Sequence, residues 1–241
     1  ILKPDEQGIR AQVITIPAGI FTPEGALVRE PTLPALDETA KAEYVKRYLN
    51  FFPKKALEEL SIGLYEHSSV SRECLYEILT GLGAKVMCLG RSDVFISVDT
   101  EAIRPEDIVL AAQWSNEHHF DCIISTDGDG DRPLLSDEKG VWLRGDVAGI
   151  LCAQYLDADA VITPVNGNSA LELSGLFSYT QRTQIGSPYV IAGMLEAEPE
   201  YHNVIGYEAN GGVLVGSEIT KGGRKLAALP TRDAAIVPLA I

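Results

Sequence analysis

Phe120-Asp121-Cys122-Ile123-Ile124-Ser125-Thr126-Asp127-Gly128-Asp129-Gly130-Asp131-Arg132 changes character abruptly in its middle. The first half is a short apolar run with no polar alternation, the pattern of a strand buried on both faces of a parallel sheet. The second half is polar, glycine-interleaved and unable to continue that strand. Ligand sites of parallel α/β sheets gather where strands end in such loops. This stretch therefore predicts an α/β fold with a site at the carboxyl edge of a sheet.

The flanking sequence repeats the alternation. A helix is predicted over 41–52, with Tyr44, Tyr48, Leu49 and Phe52 on one face, then a strand over 62–66 and a helix over 71–83. A strand over 84–90 and a helix over 104–118 with Pro105 in its first turn follow, and 133–143 reads as a hairpin. A second round starts near Gly145. It contains a helix over 146–156 capped by Asp146, a strand over 159–165, a helix over 168–177 and a strand over 182–185. A helix over 187–198 capped by Ser187, strands over 203–208 and 213–217, a glycine-rich hairpin and a helix from Thr231 complete it.

Two consecutive α/β domains with mixed, mostly parallel sheets flanked by helices are the expected architecture, at 40–144 and 145–241. Residues 1–39 differ. They hold five prolines (Pro4, Pro17, Pro23, Pro31 and Pro34) and a short predicted strand over 8–16, and they read as the tail of a preceding domain plus a connector. Residue 1 is Ile, which suggests a processed protein or a piece of a longer one.

The chain carries 34 Asp+Glu against 20 Lys+Arg, a formal charge of −14 over 241 residues. So acidic a body argues against nucleic acid and anionic membrane as partners. No apolar run approaches the roughly 20 residues of a membrane span, and no signal peptide opens the chain, so the expected location is cytoplasmic. Cys74, Cys88, Cys122 and Cys152 show neither a C-x-x-C pair nor zinc spacing, and Cys122 and Cys152 read as small buried hydrophobes. His67, His118 and His119 have no partner spacing and read as surface or packing residues.

Asp127, Asp129 and Asp131 stand at i, i+2 and i+4, and three carboxylates this close need a neutralising partner. Glycines between them allow a tight wrap on one point, and oxygen donors without His or Cys select Mg²⁺ or Ca²⁺. A solvated acidic turn is the bland alternative, but such a turn has no need of strict alternation. With Glu138 the aspartates also occupy EF-hand positions 1, 3, 5 and 12, yet Arg132 stands where that loop requires Gly and a strand precedes it. A haloacid-dehalogenase phosphatase also places a D-x-D after a strand, but usually with Thr or Val at the place of Asp131.

Ser125 to Arg132 closely resembles the metal loop of the α-D-phosphohexomutases, the phosphomannomutase and phosphoglucomutase family. Gly206-Tyr207-Glu208-Ala209-Asn210-Gly211-Gly212 resembles that family's sugar-recognition loop, and Thr183-Gln184-Ile185-Gly186-Ser187-Pro188-Tyr189 its T-x-V-G-x-(Lys/Arg)-Y stretch. Taken alone, Asn210-Gly211 reads as a hairpin turn and Gly186-Ser187-Pro188 as a helix start.

The resemblance implies exchange of phosphate between a phosphoserine and a hexose 1- or 6-phosphate, through a bisphosphorylated sugar. It implies Mg²⁺ on Asp127, Asp129 and Asp131, Arg132 as a catalytic residue beside the phosphate, Glu208 and Asn210 on sugar hydroxyls, and Gly186 and Ser187 near the substrate. The chain departs from the pattern at Pro188, where the family has Lys or Arg, and at Asn210, where it has Ser or Thr. It contains no S-H-N-P phosphoserine loop and no R-x-S-G-T phosphate loop. The expectation is a fragment holding domains 2 and 3, partnered by domains 1 and 4 of the same polypeptide and inactive alone. A metal-dependent sugar phosphatase and a non-catalytic metal-binding module are the alternatives. Four arginines (Arg144, Arg182, Arg224 and Arg232) read as individually paired or solvated, each able to face a sugar phosphate.

Overall fold

The computed structural model describes residues 3–241. Two compact units are distinguished, 1–40 and 41–241. In the first, α1 (Lys3–Arg10) is followed by irregular chain with one isolated bridge between Phe21 and Leu27. The strand expected over 8–16 does not form. Gly8 to Arg10 complete a helix with Asp5 and Glu6 in its first turn, and among the described residues no ladder partner is offered to residues 12–16.

The second unit begins with α2 (Thr39–Phe51), most of which lies in it, followed by β1 (Ser61–Tyr65), α3 (Arg72–Gly81), β2 (Lys85–Leu89) and α4 (Pro105–His118). Next come β3 (Cys122–Thr126) and β4 (Pro133–Leu135). These strands form a sheet in the order β2-β1-β3-β4, parallel except for β4. Further along are α5 (Gly145–Tyr155), β5 (Ala160–Pro164), α6 (Ala170–Leu173), β6 (Tyr179–Thr183), α7 (Ser187–Ala197), β7 (Val204–Tyr207) and β8 (Val213–Val215). Then β9 (Ile219–Lys221) and β10 (Arg224–Leu226) pair as a hairpin, before β11 (Leu229–Asp233) and α8 (Ile236–Ala240). The second sheet runs β11-β8-β7-β5-β6, with β6, β5 and β7 parallel and β8 and β11 antiparallel.

Side-chain alternation along the buried strands explains the layers. Ile62, Leu64, Ile124 and Val161 join a shared core with Tyr48, Phe52 and Leu79, while Ile123 packs with Phe120 and Tyr65. Ala160 and Ile162 face the other way, onto Val190 and Met194 of α7. Strands without a polar face are stable only with both faces covered, which the helices accomplish. The architecture is mixed α/β, as the alternation of elements implied.

Several boundaries moved for local reasons. β6 starts at Tyr179 rather than Arg182, because its register with β5 runs from Ala160↔Tyr179 to Pro164↔Thr183. The helix expected over 168–177 shrinks to one turn, cut short by Gly175 at φ 63°. Thr231 belongs to β11, not to a helix, since Leu229 and Asp233 pair with β8. Arg144 takes the cap position of α5. Asp146 lies inside the helix, with its carboxylate 2.8 Å from Arg144 Nη2. Among the described residues, no helix is long and apolar enough to cross a membrane.

Candidate functional site

Parallel pairing of β1 with β3 brings the loops that follow them together. The loop after β3 closes on itself: the Asp127 amide donates to the Arg132 carbonyl, and Asp127 Oδ1 accepts from the amides of Asp131 and Arg132 at 3.2 Å each. Gly130 has φ 79°, and a Cβ there would meet Ser71 Cβ at 2.8 Å. Beneath it, Ser69, Ser71 and Thr126 hydroxyls hydrogen-bond mutually at 2.7–2.9 Å, while the Val70 amide donates to the Gly128 carbonyl. His67, fully buried, places Nε2 2.9 Å from the Thr126 carbonyl. It packs as expected, but directly under this loop.

The wrap brings the three aspartates together. Asp127, Asp129 and Asp131 each offer a carboxylate oxygen, all within 4.8 Å of one another. Asp131 Oδ1 is buried and has no hydrogen-bond partner. An orphaned buried oxygen among three carboxylates fits a divalent oxygen-loving cation. Arg132 stands beside them, its Nε 3.5 Å from Asp127 Oδ2 and 3.8 Å from Asp131 Oδ1.

Burial, and the charges of Asp129 and Asp131, push the Asp127 carboxyl up to about 6 from its ordinary 3.8, against the lowering effect of the Arg132 backbone contact. An acid with a raised pKa in the fold is favoured there in its protonated form. Its contribution to stability is full below about 4 and is lost as pH rises to about 6. In EDTA, Asp127→Asn should therefore match the wild type in thermal midpoint near pH 4 and exceed it by a few degrees above pH 6. A midpoint difference that stays constant across this range would contradict the stated electrostatics.

The second loop connects β7 to β8. Glu208 and Gly212 pair through backbone, Gly211 sits at φ 87°, and the Gly212 amide donates to Asn210 Oδ1 at 2.9 Å. It is a hairpin turn in structure, since β7 and β8 are antiparallel. Its back is held by Gly145, where a Cβ would lie 2.4 Å from the Gly211 nitrogen, and by Thr100 Oγ1 donating to the Asn210 carbonyl.

Glu208 is nearly buried, and Ser187 Oγ donates to its Oε2 at 2.8 Å. Ser187 was expected to cap α7. Gly186, at φ 125°, takes that cap position and releases the serine hydroxyl to Glu208. Gly186, Ser187 and Glu208 thus meet at the carboxyl edge of the second sheet, whereas Asn210 Oδ1 is spent on its own loop.

Arg232 is the residue that sequence reading left undistinguished. Its Nη2 lies 2.6 Å from Asp131 Oδ2 and its Nη1 3.5 Å from Glu208 Oε2, so one guanidinium spans both loops. No alternation in the sequence marks it: Leu229 to Asp233 pairs with β8 through an irregular register, with Thr231 exposed, Arg232 half-buried and Asp233 buried. The other three arginines do not join this group. Arg144 pairs with Asp146, Arg182 clamps Glu172 and the carbonyls of Pro164, Gly167 and Asn168, and Arg224 is exposed on β10. All four cysteines are free thiols; Cys152 is buried and Cys122 only partly so.

A three-carboxylate loop and a polar hairpin, each at a sheet's carboxyl edge, are joined by one arginine in an α/β protein, at the edge where ligand sites of such sheets gather. Residues 42–140 match the family model described as phosphoglucomutase/phosphomannomutase, alpha/beta/alpha domain II, and residues 144–239 match domain III of the same family. The chain belongs to the phosphoglucomutase/phosphomannomutase family. It is 44% identical over 234 residues to a phosphomannomutase of Salmonella muenchen, a match covering 97% of this chain and 47% of that protein. It is 46% identical over 236 residues to a phosphomannomutase of Sinorhizobium fredii, covering 97% and 48%. A solved candidate phosphomannomutase from Thermus thermophilus shares the fold, with TM-score 0.73 at 20% identity over 100% of this chain and 52% of that one. The chain spans about half the length of the curated relatives it matches.

Proposed function

We propose that these residues are the central part of a phosphohexomutase that interconverts hexose 1-phosphate and hexose 6-phosphate through a phosphoserine and a bisphosphorylated sugar. The observation that carries this reading is the bridge by Arg232 between the carboxylate loop and the Glu208 hairpin. A phosphatase needs the first loop but has no evident use for the second. The high identity to relatives named phosphomannomutase supports a hexose substrate.

In this reading Asp127, Asp129 and Asp131 hold Mg²⁺, which when bound would stabilise charge on a transferring phosphoryl group. Arg132, already beside two of these carboxylates, is placed to meet the phosphate. Glu208, oriented by Ser187, accepts hydrogen bonds from adjacent sugar hydroxyls, and Asn210 offers its amide nitrogen because its Oδ1 is engaged. Pro188 supplies no charge where the family has Lys or Arg, which leaves the arginines to balance the phosphate. We assign a domain role to 40–144 around the metal loop and to 145–241 around the sugar loop. The nucleophilic serine and the phosphate clamp are assigned to domains 1 and 4 of the parent polypeptide, and the parent to the cytoplasm, where four free thiols persist.

A parent protein containing this sequence should convert mannose or glucose 1-phosphate to the 6-phosphate in the presence of Mg²⁺, followed by coupled assay. The 241-residue chain alone should bind Mg²⁺ without turnover. Release of inorganic phosphate by the chain alone would establish the phosphatase alternative instead. Metal-dependent stability with no response to hexose phosphates, in chain and parent alike, would establish a binding module.

A further inference from the structure

Arg232 occupies an unusual electrostatic position. One nitrogen is 2.6 Å from an oxygen of Asp131, and another is 3.5 Å from Glu208. Asp131 is part of the three-carboxylate cluster, and the same Glu208 oxygen that faces Arg232, Oε2, also accepts from Ser187 Oγ at 2.8 Å. Asp131 thus has one carboxylate oxygen paired with arginine and the other, Oδ1, buried without a hydrogen-bond partner. The remaining charges facing this point are Asp127, Asp129 and Arg132.

We infer that Arg232 is a positioning residue that acts as a shared counter-cation, coupling the metal-binding strength of the aspartate loop to the state of Glu208. The inference rests on the proposed metal role of the three aspartates. A guanidinium this close neutralises one of the charges that a divalent cation needs, so it opposes metal entry. Glu208 competes for the same guanidinium. Whatever strengthens the Glu208 contact draws Arg232 away from Asp131 and favours metal. By linkage, metal binding releases Arg232 towards Glu208 and towards a phosphorylated ligand held between the loops.

The signs make this testable by calorimetric titration of the 241-residue chain with Mg²⁺, and with Mn²⁺, at constant ionic strength. Arg232→Gln should tighten metal binding by about fivefold, the scale of one half-exposed ion pair. Glu208→Gln should weaken it by about threefold, because Arg232 is then left wholly to Asp131. The double variant should follow Arg232→Gln, and Arg232→Lys should stay near wild type. A residue that only supports the loops would weaken metal binding when removed, so tightening is the diagnostic result. Should Arg232→Gln fail to fold, weakening in Glu208→Gln and its reversal in a Glu208→Gln/Arg232→Met chain test the same coupling. A wild-type chain that binds metal, with all variants indistinguishable from it, overturns the coupling alone. A wild-type chain that binds neither metal overturns the metal reading and the coupling with it.

Discussion

Asp129→Asn is expected to weaken Mg²⁺ binding on the order of 100-fold, about 2.7 kcal/mol, while making the metal-free chain slightly more stable. Asparagine keeps the shape of the side chain and removes one of three converging charges. Asp129 is the exposed member of the cluster, so the substitution disturbs no packing. In the metal-free chain its charge helps hold the Asp127 carboxyl at about 6, and removing it relieves that repulsion. The opposite signs separate loss of a ligand from general damage. Calorimetry gives the first and thermal unfolding in EDTA the second. Wild-type Mg²⁺ affinity in this variant would remove the aspartate loop from any metal role.

Asp233→Ala is expected to cost about 3 kcal/mol, a fall of roughly 10 °C in thermal midpoint. Asp233 is 2% exposed and accepts hydrogen bonds from the hydroxyls of Tyr44 and Tyr48 and from the Ala235 amide. Burial raises its carboxyl above the ordinary range despite those donors. Burial, then its charge, push both phenols above the ordinary tyrosine value. Alanine would strand the buried Tyr48 hydroxyl and the part-buried Tyr44 hydroxyl and untie α2 from the turn between β11 and α8. Asp233→Asn keeps an acceptor and should lose less than half as much. Equal midpoints for Asp233→Ala and wild type would show that this cluster contributes nothing net.

Much of the architecture was legible because each cue is local. Apolar runs such as Cys122–Thr126 and Ala160–Pro164 need cover on both faces, and that alone selects helices packed on parallel strands. The N-terminal strand failed because a run such as Gln12–Ile16 is only half of a ladder, and nothing within it says whether a partner exists. Ser187 was misread for a related reason. Serine before proline is a sound helix cap taken alone, but Gly186 can occupy the same place, and Glu208 offered the hydroxyl a buried charged partner.

The aspartate cluster was legible locally, since alternation with glycine brings three carboxylates together within a few residues. So was the hairpin of Glu208 to Gly212, because Asn-Gly between apolar strands turns locally. That these loops share one guanidinium emerges from the packed fold alone. Ion pairing falls off over ångströms of space, not positions of chain, and Arg232 reaches Asp131 only after two sheets have folded and β11 has paired with β8.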